Sequence, residues 1–310
     1  RYMYFVRAKK GIKSSTTEAI RKFYEKDGYA LLKNEKTLDD LDILAHFWDD
    51  VSNQDKDRFS ARILHRLFVL NYAPNGMWTY FVSVYFMHFH DDNDELEEEH
   101  FFQFLNRIIG FIWAYAITNP GVNSLRTPVF AEMVNIVNDT DVTFNNFLFD
   151  ETRFRAQFSN YVFSNNRAIT KSMITWWAYT FATQPLLSLE NACDIEHIFP
   201  RNRQQKENSL KNPHSLEMLG NKSLLERRIN IRASNYRFAD KIKYYMGFQT
   251  SKGQKEGTNI TELKMLANEL ADYTERNITE RSERILEGFV EYLKTNALIK
   301  SSKELNPINA

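Results

Sequence analysis

The sequence predicts a mainly α protein: a helical bundle followed by a small α+β unit that closes on two further helices. Three observations lead there. Only 10 Gly and 7 Pro punctuate 310 residues, too few chain-breakers for a many-turned all-β fold. Up to about residue 190, apolar residues recur at three- and four-residue intervals, the period of helices with one buried face. Beyond 190 that period gives way to short alternating runs separated by turn residues, then returns to helix. The expected division is a helical domain over 1–190 and a second domain over 191–310.

In the first part, Leu38, Leu41, Leu44, Phe47, Trp48 and Val51 mark one helix, and Ile63, Leu64, Leu67, Phe68 and Leu70 the next. Ala73-Pro74-Asn75-Gly76 separates that helix from an aromatic one over Trp78 to His90. The acidic run from Asp91 to Glu99 opens a further helix, because negative charge suits the positive N-terminal end. Asn119-Pro120-Gly121 ends it, and helices follow near 125–138, 151–164 and 168–187. The segments Trp78–His90 and Phe101–Thr118 are apolar, but the first is too short to span a membrane. The second carries Gln103, Asn106 and Arg107, so both read as buried bundle helices.

In the second part, Asp194 to Pro200 alternates as a short strand stopped by proline, and the basic stretch from Arg201 to Ser215 reads as a loop. Leu216–Leu219, Gly220-Asn221 and Lys222–Glu226 read as strand, turn and strand. A helical pattern runs from Arg228 to Met246, a loop from Gly247 to Gly257, and two closing helices cover about 260–273 and 277–297.

Composition narrows the function. Apolar residues make up 43% and charged residues 26%, which excludes wholesale disorder. The single cysteine, Cys193, excludes an internal disulfide, four-cysteine zinc sites and a CxxC redox motif, and a cytoplasmic location is the simplest expectation. Net charge is zero, yet residues 201–260 hold 13 Lys or Arg against 5 Asp or Glu, which fits a face turned toward a polyanion as well as a solvated surface. No HExxH, GxGxxG or GxxxxGK[ST] occurs. The chain begins Arg1-Tyr2-Met3 without a signal-peptide pattern, and is read as a fragment of something longer.

The residues suited to chemistry are Asp194, Glu196, His197, Asn221 and Asn230. On a strand, Asp194 and Glu196 share one face and His197 takes the other. Phosphodiester hydrolysis at neutral pH needs a base for water, which imidazole supplies, and positive charge beside the leaving oxygen. A carboxylate next to the histidine and an amide oxygen from a following helix are suited to a hard divalent cation. Taken singly, each has a structural use: His197 packed on backbone, Asn221 as a turn residue, Asn230 as a helix cap. His88 and His90 read as core or interface residues, and His46, His65 and His100 are solitary.

Asp194-Ile-Glu-His-Ile-Phe-Pro200, then Leu219-Gly-Asn-Lys-Ser-Leu-Leu225, then Asn230, resembles the ββα-metal core of HNH endonucleases. Together with Ser234-Asn235 and Phe238-Ala-Asp-Lys241 it resembles, more narrowly, the C-terminal nuclease half of GmrSD-type modification-dependent restriction enzymes and of the related SspE-type phage-defence proteins. The resemblance covers about 190–300, and the segment Phe68 to Asn75 resembles the helical region that joins that half to an N-terminal nucleotide-hydrolysing sensor. It implies a metal-dependent DNA endonuclease, with His197 as general base and Asn221 orienting it. Glu196 and Asn230 become ligands of Mg²⁺ or Mn²⁺, with Asp194 as a substitute or helper. Asn235, Lys241, Lys222 and Arg201 are implied in support or in contact with nucleic acid. The implied partners are DNA, modified phage DNA among them, a sensor domain or subunit, and a second copy of the chain; no membrane is implied. The 23-residue loop between His197 and Asn221 is longer than in compact HNH enzymes. Two alternatives remain open: an inactive HNH-like module that binds DNA or a partner, and an RNA-directed nuclease.

Overall fold

Long apolar-faced segments capped by polar side chains account for most of the chain, which a computed structural model describes over residues 1–121 and 123–300. In order, the elements are α1 (Tyr2–Lys9), α2 (Ile20–Glu25), α3 (Glu35–Asn53), α4 (Ala61–Asn71), α5 (Met77–Phe89), α6 (Glu98–Thr118) and α7 (Arg126–Ile136). Then come α8 (Glu151–Ser159), α9 (Ala168–Ala178), β1 (Cys193–His197), α10 (Arg201–Glu207), β2 (Lys222–Glu226), α11 (Arg227–Ala233) and α12 (Phe238–Met246). A hairpin of β3 (Phe248–Thr250) and β4 (Gly253–Lys255) precedes α13 (Thr261–Glu269) and α14 (Glu275–Thr295). The protein is mainly α with a small α+β unit, as its chain-breaker count and periodicity predict.

The chain forms two compact units. One comprises Arg1–Leu67, Asn75–Phe154 and the chain from Tyr292; the other comprises Phe68–Pro74 and Arg155–Glu291. The cut read at 190 falls inside the second unit, between α9 and β1, and α9 packs on β2.

In the first unit, α5 packs on α1, α3 and α7. Its core is aromatic: the rings of Phe47 and Phe86 stack at 4.1 Å, Tyr85 and Phe104 at 4.1 Å, and Phe111 and Phe144 at 3.6 Å. Glu97 caps α6, its carboxylate accepting from the backbone N–H of Glu99 and His100, so the end of the acidic run does open this helix. The start of the run is a turn instead, where Asp91 accepts from the N–H of Asn93 and Glu95. By length and composition α6 could cross a membrane, but 67% of its apolar window is buried inside the protein.

In the second unit, β1 and β2 pair antiparallel, with Glu196 opposite Ser223 and His197 opposite Lys222. The helix α11 follows β2 directly and packs on both strands, giving the order strand, strand, helix. Four local expectations are corrected. Residues 216–219 form no strand; 3-10 turns occupy Pro213–Glu217 and Leu219–Asn221, and β2 takes β1 as its partner instead. The basic stretch after Pro200 contains α10, entered at proline, which fits the first turn of a helix. The helical run from 228 to 246 is two helices, because Ser234 adopts a positive φ of 44° that stops α11. Residues 247–257 contain the β3–β4 hairpin rather than an open loop.

Candidate active site

Alternation along β1 sends Glu196 and His197 in opposite directions, and each meets a different set of partners. Glu196 is 3% exposed. Its Oε1 accepts from Lys241 Nζ at 2.6 Å and from the Tyr245 hydroxyl at 2.5 Å, two groups one turn apart on α12. The same ammonium donates to the His197 backbone oxygen at 2.6 Å, so one buried cation fastens the end of β1 through both a side chain and a carbonyl. Burial pushes the Glu196 carboxyl up and the Lys241 ammonium down, while their attraction opposes both shifts.

The His197 ring lies among polar and charged side chains. Its Nε2 is buried and has no hydrogen-bond partner, with Glu217 Oε1 4.0 Å away. Glu217 is already engaged: Oε1 accepts from Arg201 at 2.7 Å, and Oε2 from Lys222 Nζ at 2.6 Å. Lys222 also donates to Asn165 Oδ1 at 2.8 Å, and its side chain is fully buried. Burial, and then the charges of Lys222, Arg201 and Lys241, hold the imidazole down at about 3, far below the ordinary 6.5. His197 is therefore neutral at physiological pH, with Nε2 unbonded beside cationic groups.

Asn221 acts one step back from the imidazole. Its Oδ1 accepts from Phe199 N–H at 2.7 Å, and its Nδ2 donates to the carbonyls of Phe199 and Leu216, both at 3.1 Å. Its own carbonyl accepts from Ile198 N–H at 2.9 Å. All three side-chain bonds go to backbone, so Asn221 fixes the chain just after His197 rather than the ring. Asn221 is in turn held by α14. Arg281 donates to the carbonyls of Leu219, Gly220 and Lys222 at 2.7 to 3.1 Å, and Glu262 balances its charge at 2.6 Å. Gly220 lies so close to α14 that a Cβ would collide with the Ile278 carbonyl and with Ser282. That contact explains why glycine stands before Asn221.

The other expected residues are scattered more widely. Asp194 receives the Arg227 guanidinium at 3.1 Å. Asn230 is half-buried on α11, one helical turn after Arg227, and its backbone carbonyl accepts from Ser234 N–H. Asn235 is exposed in the turn between α11 and α12. Arg201 is exposed, as a phosphate contact requires, whereas Lys222 and Lys241 keep their ammonium groups inside the protein. Sequence reasoning missed Glu217, Asn165, Tyr245 and Arg281. Only the spacing of Lys241 and Tyr245, four apart on one helix face, carried any signal for the Glu196 contact.

These side chains do not fit the expected divalent cation. A metal on Glu196 would sit beside the like-charged Lys241 ammonium, and one on Asp194 would displace the Arg227 guanidinium from one or both of its oxygens. Among the described residues, no three His, Cys, Asp or Glu side chains converge as a metal cluster. Cys193 is buried and its thiol is pushed up to about 11 by burial, in keeping with a packing role.

Residues 148–287 match the family model described as GmrSD restriction endonucleases, C-terminal domain. No curated protein and no solved structure matches the chain. The match takes in β1, β2, α11, α12 and the part of α14 that grips the turn before Asn221. Over residues 148–287, then, this chain is similar to the C-terminal domain of GmrSD restriction endonucleases.

Proposed function

We propose that this chain is the DNA-cutting part of a restriction system, acting in the cytoplasm on modified or foreign DNA, and that its HNH-type ββα unit hydrolyses phosphodiester bonds. The observation that carries this reading is the buried, unpartnered Nε2 of a neutral His197, close to Glu217 and its partner Arg201. A water beside Nε2 would give it a proton as the water oxygen attacks phosphorus in line; the P–O bond to the departing 3′ oxygen would break, that oxygen taking a proton from solvent and leaving a 5′-phosphate. Arg201, which is exposed, would receive the phosphate oxygens and stabilise the charge that builds on them. Glu217 would keep Arg201 and Lys222 in place, and Asn221 would keep the chain after His197 from shifting.

The resemblance assigns Mg²⁺ or Mn²⁺ to Glu196 and Asn230, with Asp194 in support. In the reading proposed here, Glu196 anchors the end of β1 through Lys241 instead. Lys and Arg side chains between 201 and 255 would supply a backbone grip whose strength falls with salt. A preceding nucleotide-hydrolysing sensor, and pairing of two copies to cut both strands, belong to the same proposal.

The test is cleavage of supercoiled plasmid by the purified chain, with structured RNA digested in parallel. The reading expects nicked plasmid and intact RNA, and expects His197→Ala to stop nicking while leaving the circular dichroism spectrum unchanged. Undiminished nicking by that variant would end the assignment.

A further inference from the structure

Around α12, Tyr236, Tyr244 and Phe248 form a run of aromatic rings that nothing in the hydrolytic chemistry uses. Tyr236, in the turn after α11, is 49% exposed, and its ring lies 5.8 Å from that of Tyr244 with 10° between their planes. Phe248, the first residue of β3, meets Tyr244 edge-on at 5.4 Å and 88°. Lys243 places its ammonium 5.0 Å from the centre of the Tyr244 ring. A single exposed ring is ordinary on a protein surface. Three in series, two of them nearly parallel and one carrying a cation, form a platform.

The platform is also rigidly mounted. The positive φ of Ser234 ends α11 sharply, and Tyr236 N–H returns to the Ala233 carbonyl at 3.3 Å. Tyr244 sits on α12 beside Tyr245, whose hydroxyl is bonded to Glu196. From residue 227 to 256 the chain holds eight Lys or Arg against two acids, Asp240 and Glu256.

We infer that Tyr236, Tyr244 and Phe248 form a stacking platform for the unpaired bases of a DNA strand, with Lys243 and the neighbouring basic side chains holding its phosphates. Every base has a π-face, so such a surface accepts any sequence; paired bases keep their faces inside the duplex and gain nothing from it. The inference rests on DNA being the substrate, and it adds a preference for locally unpaired DNA. The exposed Tyr236 ring, already set beside the half-buried Tyr244, loses little freedom when a base covers it.

Binding is measured without turnover, in full-length His197→Ala protein, by fluorescence anisotropy with labelled oligothymidylate and with a duplex of the same length. Adding Tyr236→Ala should weaken single-strand binding at least about 5-fold and leave duplex binding within about 2-fold. The slope of log affinity against log salt should not change, since the ring carries no charge. Tyr236→Trp should retain single-strand affinity, and thermal melting should show every variant folded. Unchanged single-strand affinity in Tyr236→Ala, or equal losses on single strand and duplex, would overturn the inference. Failure of the nuclease reading would appear separately, as absence of plasmid nicking by the unmutated chain.

Discussion

The Lys241 ammonium lies 2.6 Å from Glu196 Oε1, and both side chains are almost wholly buried. An ion pair in such a place costs desolvation that only close geometry and further hydrogen bonds offset. Removing one partner strands the other charge, at a cost of about 3–5 kcal/mol. Lys241→Met should therefore destabilise the protein by roughly that amount in urea unfolding. The double variant with Glu196→Gln should recover part of the loss, because no lone charge then remains inside. Equal stability of Lys241→Met and the unmutated protein would contradict the pairing.

The same contact bears on metals. With its carboxylate held by Lys241, Glu196 offers no site for a dication, so millimolar Mn²⁺ should produce no rise in melting temperature that depends on Glu196. A rise that vanishes in Glu196→Gln would show that the carboxylate leaves Lys241 for the metal, against the arrangement described here.

Gly220 touches α14 too closely for a side chain. Gly220→Ala should push β2 and α14 apart, loosening the Arg281 bonds that hold the Asn221 turn. Overpacking of this kind costs about 1–3 kcal/mol. Because Asn221 holds the backbone after His197, nicking should fall further than stability alone explains. Rates and urea midpoints measured on one preparation would show whether the two move together.

Acid should weaken the fold through His197. Its imidazole is held at about 3 in the folded chain against an ordinary 6.5, so between those values the unfolded state binds the extra proton. This contribution to stability is complete above pH 6.5 and is lost as pH falls toward 3, by at most about 1.4 kcal/mol per pH unit. Urea unfolding at pH 7 and pH 5 should show a smaller drop in His197→Gln than in the unmutated protein.

How much of this was legible in the sequence differs from residue to residue. Glu196, His197 and Asn221 stand out because local spacing places them: strand alternation for the first two, a turn before β2 for the third. The α-helical period likewise revealed α3, α4, α5 and α6. Lys241 was visible as a recurrent position but not as the partner of Glu196, 45 residues away in sequence, since that contact depends on how α12 packs on β1. Glu217 and Asn165 lie in irregular segments with no period to betray them. The strand expected at 216–219 failed for a related reason. Its residues form 3-10 turns whose polar groups are satisfied by Asn221 and α14, and no alternation pattern separates the two.

The central claim, that His197 Nε2 takes the proton from the attacking water, is tested most directly by chemical rescue. His197→Gly should nick plasmid about 10²- to 10⁴-fold more slowly than the unmutated chain, and added imidazole should restore part of the rate by entering the space the side chain leaves. A His197→Gly protein that nicks at the full rate without imidazole would contradict the account.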